Sequence, residues 1–190
     1  MKKSSALDQL HQVHELNREF LGLLQARLQD GRSCLGLPAA AHAAVTAAAG
    51  PLLDAVAVFP RALFRLSQGA RTCPACTDAA ADFDEPEHRL CLSILFAARH
   101  TCRHSGYQAR LLFGLEAADV ERLQASPLAQ LQQHARAPGM LKCAFAEQTW
   151  FWHQLFTTTR PELRRQLTLL ALQPSLANAW PPRRPPHAAN

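Results

Sequence analysis

The chain has 190 residues, enough for one domain or for two small ones sharing a core. Ala (34) and Leu (30) dominate while Val (5) and Ile (1) are scarce. Strong helix formers abound and sheet formers do not, which excludes a doubly wound α/β domain or a barrel and predicts an all-α fold. A net charge of +5 permits contact with nucleic acid without demanding it, and 48% hydrophobic residues are enough for a real core.

The first helix is predicted over residues 7–28. One apolar row is Val13, Leu16, Phe20 and Leu23; a second is Leu10, Leu21, Leu24 and Leu28. Two rows make a stripe wide enough to pack on two sides. Asn17 lies between them, either fixing register in an apolar seam or reaching water at its edge. Asp30-Gly31-Arg32-Ser33 stops this helix, and Leu35-Gly36-Leu37-Pro38 leads to an Ala-rich helix ending near Ala49. Pro51 suits the first turn of another short helix, and Pro60 opens an apolar segment through Leu66.

Residues 68–87 read as a polar linker holding Cys73, Cys76 and the acids Asp82, Asp84, Glu85 and Glu87. A second long helix is predicted over 86–112, then Phe113-Gly114-Leu115 and a helix over 116–125. Ser126 has the form of an N-cap with Pro127 in the first turn, and Pro138-Gly139 ends that helix before Leu141-Lys142-Cys143-Ala144-Phe145. Thr159 with Glu162 has the form of a capping box for a final helix reaching about Leu172. Five prolines between Gln173 and Asn190 argue against helix there and predict a disordered tail.

The two halves repeat one pattern. Gly36-Leu37 corresponds to Gly114-Leu115 at an offset of 78, Pro51-Leu52 to Pro127-Leu128 at 76, and Leu63 to Leu141 at 78. Shared break positions predict an internal duplication. The organisation is then a first unit over 1–67, a linker over 68–87, a second unit over 88–146, a helical extension over 147–172 and a tail over 173–190.

His14-Glu15-Leu16-Asn17-Arg18-Glu19-Phe20-Leu21-Gly22-Leu23-Leu24-Gln25-Ala26-Arg27-Leu28, followed by Leu35-Gly36-Leu37, resembles the FlhD subunit of the bacterial flagellar master regulator. The second unit matches from Phe113-Gly114-Leu115 through Pro127-Leu128 to Cys143-Ala144-Phe145. The resemblance covers most of 7–66 and 88–146. It implies an all-α fold pairing through long helices, here as a pseudo-dimer within one chain. It also implies a zinc-containing FlhC-like partner and transcriptional activation at promoter DNA, of flagellar or of integrative and conjugative element genes. The chain departs from that family in its duplication, its cysteine linker, and Leu95 where the offset expects the asparagine.

Cys73-Pro74-Ala75-Cys76 followed by His88 and Cys91 has zinc-ligand spacing, and a helix places His88 and Cys91 on one face. A closed site there would be structural; the other reading is reduced, unliganded cysteines with Cys91 in the core. His100, Cys102 and His104 are rival ligands. Cys73 and Cys76 also have the form of a redox dithiol, but acids surround them and no strand precedes them. No paired carboxylates, Ser-His-Asp set or phosphate loop appears, so no catalytic residue is predicted and the chain reads as a non-enzyme.

For DNA the candidates are Arg160, Arg164 and Arg165, with Arg183 and Arg184 in the tail. Trp150, Phe151 and Trp152 are the densest aromatic cluster, a core element by default and a partner-binding hot spot where exposed. The start, Met1-Lys2-Lys3-Ser4-Ser5 followed by Asp8 and Glu15, has no apolar signal core, and the uncharged stretch from Gly36 to Leu53 is too Ala-rich for a membrane span. The cytoplasm is the expected compartment. The functional expectation is a FlhD-like activator subunit, with a zinc-stapled helical adaptor as alternative and a dithiol oxidoreductase as a distant third.

Overall fold

A computed structural model describes residues 5–67, 85–158 and 161–179. The fold is all-α apart from one short strand pair, and no described helix is long and apolar enough to cross a membrane. Helix α1 spans Ala6–Gln29. Ser5 caps it with a reciprocal pair of bonds: its hydroxyl accepts from Asp8 N–H at 3.2 Å, and Asp8 accepts from Ser5 N–H at 2.8 Å. Helices α2 (Ala39–Thr46) and α3 (Gly50–Ala57) follow, then strand β1 (Phe64–Leu66). Pro51 sits in the first turn of α3, as its fixed φ favours.

Most of the expected linker, residues 68–84, lies outside the described residues; then come α4 (Glu85–His104), α5 (Gly106–Phe113), α6 (Ala117–Ala125), α7 (Leu128–Ala135) and strand β2 (Leu141–Cys143). Helices α8 (Thr149–Thr157) and α9 (Pro161–Ala179) complete the chain.

Four expectations need correction. The long helix over 86–112 is two helices, broken at Ser105, whose hydroxyl accepts from Gln108 N–H at 3.2 Å and starts α5. Gly106 fits this corner because α6 closes in: a Cβ there would lie 3.0 Å from Val120 Cγ1. Ser126 does not cap α7; its hydroxyl donates back to Arg122 C=O at 2.7 Å, closing α6. The apolar segments after Pro60 and Pro138 pair as strands. The last helix does not stop near Leu172 but runs past Pro174 to Ala179, although proline cannot donate the backbone bond of that turn. Thr159 and residues 180–190 lie outside the described residues.

Helices α1 and α4 pack antiparallel. Arg27 near the end of α1 meets Glu87 at the start of α4 at 2.5 Å, while Gln12 faces the opposite end of α4. The core between them holds Val13, Phe20, Leu21 and Leu24 against Ile94, Leu95 and Ala98. Fully burying one such Leu or Phe contributes about 1.5–3 kcal/mol, so this seam dominates the local energetics. Phe20, Phe64 and Phe113 continue it as a row of rings with centroids 5.6 and 6.4 Å apart. A second aromatic group, Phe59, Phe151 and Phe145, joins the extension to both halves at 5.7 and 4.3 Å.

Asn17 settles the two readings of its position. It is fully buried, so it does not reach water. Its amide donates to Ala57, Phe59 and Arg61 C=O at 3.2, 3.3 and 3.0 Å, and its Oδ1 accepts from Leu63 N–H at 2.8 Å. One side chain thereby fixes the path from α3 into β1. Two turns on, Gln25 donates to Val45, Thr46 and Ala48 C=O, satisfying carbonyls at the end of α2.

Candidate functional site

The strand pair is where the two halves meet. β1 and β2 run antiparallel with Phe64 opposite Cys143, Arg65 opposite Lys142 and Leu66 opposite Leu141. The flanking bonds are reciprocal: Ser67 N–H donates to Met140 C=O at 2.7 Å and Ala144 N–H to Leu63 C=O at 2.9 Å. Each half also reaches the turn of the other. Ala62 N–H donates to Leu112 C=O and Cys143 N–H to Leu35 C=O, both at 2.7 Å.

Arg61 joins three parts of the chain around that pair. Its guanidinium donates to Ala171 C=O of α9 and lies 5.2 Å over the Phe145 ring. It also packs against Gly114, whose φ is +67°. Burial lowers the Arg61 pKa. Gly114 needs its missing side chain twice, for the left-handed backbone and for the room Arg61 occupies; Gly36, at φ +80°, has open space around it. Gly114→Ala is therefore expected to destabilise by about 2 kcal/mol and Gly36→Ala by about 1. Urea denaturation midpoints of the two variants check the order.

Of the proposed zinc set, Cys73 and Cys76 lie outside the described residues. His88 is half-buried and Cys91, one turn on, is in the core, its thiol pushed up to about 12 by burial and by Glu87. Zinc takes thiolate, so Cys91 would have to give up both its proton and its packing to ligate. Nothing among the described residues adds support for a metal there, and no three His, Cys, Asp or Glu side chains converge among them.

His100 and His104 stack with centroids 4.2 Å apart on the outside of α4. Cys102 is turned into the core, pushed up to about 11 by burial and by Asp119, so the rival set is not brought together.

Arg160, Arg183 and Arg184 lie outside the described residues. Arg164 is half-buried and donates to Ala55 C=O at 3.3 Å, tying α9 to α3; Arg165 is exposed. Of the aromatic cluster, Phe151 and Trp152 are wholly buried, and Trp152 Nε1 donates to Ala144 C=O at 2.7 Å. Trp150 alone presents surface, 45% exposed, beside Leu163 and Leu170 of α9. Sequence reasoning passed over Arg61, because nothing in residues 60–66 signals that a glycine turn, a ring and a helix carbonyl converge on it.

Comparison with known proteins finds no matching family model, no matching curated protein and no matching solved structure. The fold itself defines a class: an all-α chain whose two halves are joined by a short antiparallel strand pair and covered by a C-terminal helical extension.

Proposed function

We propose that this chain is a transcriptional activator subunit resembling FlhD. In this reading two tandem helical units pair as a pseudo-dimer within one chain and act with an FlhC-like partner at promoter DNA. The observation that carries the reading is the correspondence between the halves. α2 and α6 start at Ala39 and Ala117, and α3 and α7 start at Gly50 and Leu128, both 78 positions apart. Each half enters its short helices through a left-handed glycine, Gly36 or Gly114. Arg65 opposite Lys142 at the middle of the strand pair, with reciprocal bonds on either side, is the arrangement expected around a local two-fold axis.

An FlhC-like partner needs an exposed apolar anchor, and Trp150 with Leu163 and Leu170 supplies one. Targets among flagellar or conjugative-element genes follow from the resemblance alone. The test is co-purification with the product of the adjacent gene, then a promoter mobility shift with and without it. The expected result is a stable complex that shifts DNA. No partner and no shift in either arm removes the reading.

A further inference from the structure

The basic residues that the sequence singled out are at the C-terminal end, but the fold assembles a different set on α4. Arg89, Phe96, Arg99, His100 and Arg103 share its outer side, opposite buried Leu90, Ile94, Leu95 and Ala98. A groove of about 550 Å³ runs between this side and α1, lined by Gln12, Ser93, Phe96, Arg99, His100 and Arg103.

Arg99 and Arg103 make no ion pair among the described residues. Two guanidinium groups without carboxylate partners on one helix face suit an acceptor from outside the chain. The carboxylate on this side of α4, Glu85, is held by Arg89 at 3.0 Å. The acids on the outside of α1, Glu15 and Glu19, reach neither groove arginine. The corresponding outer side of α1 is of mixed charge, with Arg18 taken by Asp54.

We infer that the α4 side of this groove, centred on Arg99 and Arg103, contacts the phosphate backbone of duplex DNA. The two arginines are one helical turn apart, about 6 Å along the axis, and each offers a planar fork that matches phosphate oxygens. Ser93 and His100 add donors beside them, and the half-exposed Phe96 ring separates them from Arg89. Charges spaced one turn apart along an open groove wall fit a ligand whose charges also repeat along a line, whereas a small anion needs an enclosing pocket. These are phosphate contacts, which position the protein without reading sequence. The choice of DNA among polyanions rests on the proposed function; the contact itself rests on the geometry of α4.

The test is fluorescence anisotropy of the full chain, without any partner, on a labelled mixed-sequence duplex of about two helical turns. R99Q/R103Q is expected to weaken binding about tenfold or more and to lower the slope of log affinity against log salt by roughly two, one for each arginine–phosphate pair removed. R99K/R103K should recover much of the affinity and the slope, because charge returns without the fork. R136Q, at the exposed end of α7, should change neither. Both groove arginines lack ion pairs, so the melting temperature of R99Q/R103Q should stay near that of the parent, which distinguishes weaker DNA binding from unfolding.

Equal binding by R99Q/R103Q, or a decrease as large in R136Q, overturns the inference. Competition by polyglutamate as effective as by unlabelled duplex overturns the assignment to nucleic acid. Partner capture with no DNA binding by the isolated chain removes the α4 interface and leaves the proposed partnership standing. DNA binding that depends on Arg99 and Arg103, with no partner captured, does the reverse.

Discussion

Asn17→Leu is expected to destabilise the protein by about 3–5 kcal/mol, although leucine keeps the same branched skeleton as asparagine. The two amide N–H groups are shared among three carbonyls of residues 57–61, and Oδ1 accepts from Leu63 N–H, all but the Arg61 carbonyl away from water. Each bond contributes only about 1 kcal/mol net, but its removal leaves a buried backbone group unsatisfied, and that penalty is the larger part. Asn17→Asp should be at least as damaging, since a carboxylate cannot donate and would face three carbonyl oxygens. Urea denaturation of both variants measures this. A loss under about 1 kcal/mol for the leucine variant would mean that the loop over residues 57–63 finds other donors, and that Asn17 does not clamp it. Leu95, 78 positions on, is buried in the core, so the reverse change there, Leu95→Asn, is expected to bury an amide without partners and to be destabilising too.

Three consecutive aromatic residues should respond very differently to truncation. Trp152→Ala is expected to cost about 3–5 kcal/mol, the range for emptying a packed aromatic site. Trp152 is one of the largest wholly buried side chains and also holds Ala144, the residue after β2, through its indole N–H. Trp152→Phe keeps most of the ring volume and loses that bond, for about 1–2 kcal/mol. Trp150→Ala should cost less than Trp152→Ala, about 1–2 kcal/mol, because nearly half of the indole is already exposed. Thermal and urea unfolding of the three variants gives the ranking. If Trp150→Ala proved as harmful as Trp152→Ala, the orientation of α8 would be incorrect.

The element order was legible because its breaks are chemically marked. Gly31, Gly36, Gly114 and Gly139 all take positive φ, and Pro51 and Pro127 stand at helix starts. The break at Ser105 was not, since Ala109, Leu112 and Phe113 keep helical spacing across it and only a serine and a glycine announce the corner. Strands of three residues are too short to carry a period, and their pairing depends on chain about 77 positions away, outside any local window.

The candidate sites follow the same division. That a polar residue interrupts the α1 seam is visible in the spacing; that the loop over residues 57–63 descends onto it is a tertiary fact. Clustering along the sequence pointed to arginines 160–165. Which arginines have carboxylate or carbonyl partners is decided by packing, and packing gives Arg164 the Ala55 carbonyl while leaving Arg99, Arg103 and Arg165 without ion pairs among the described residues.

The strand pair between the halves has one more consequence. Three-residue strands supply few bonds, and two separate molecules joined only through them would come apart on dilution. Here both strands belong to one polypeptide, so their encounter is governed by an effective concentration that the tether sets and not by how much protein is present. Mass action does not act on this junction: a scarce chain is as fully assembled across it as an abundant one.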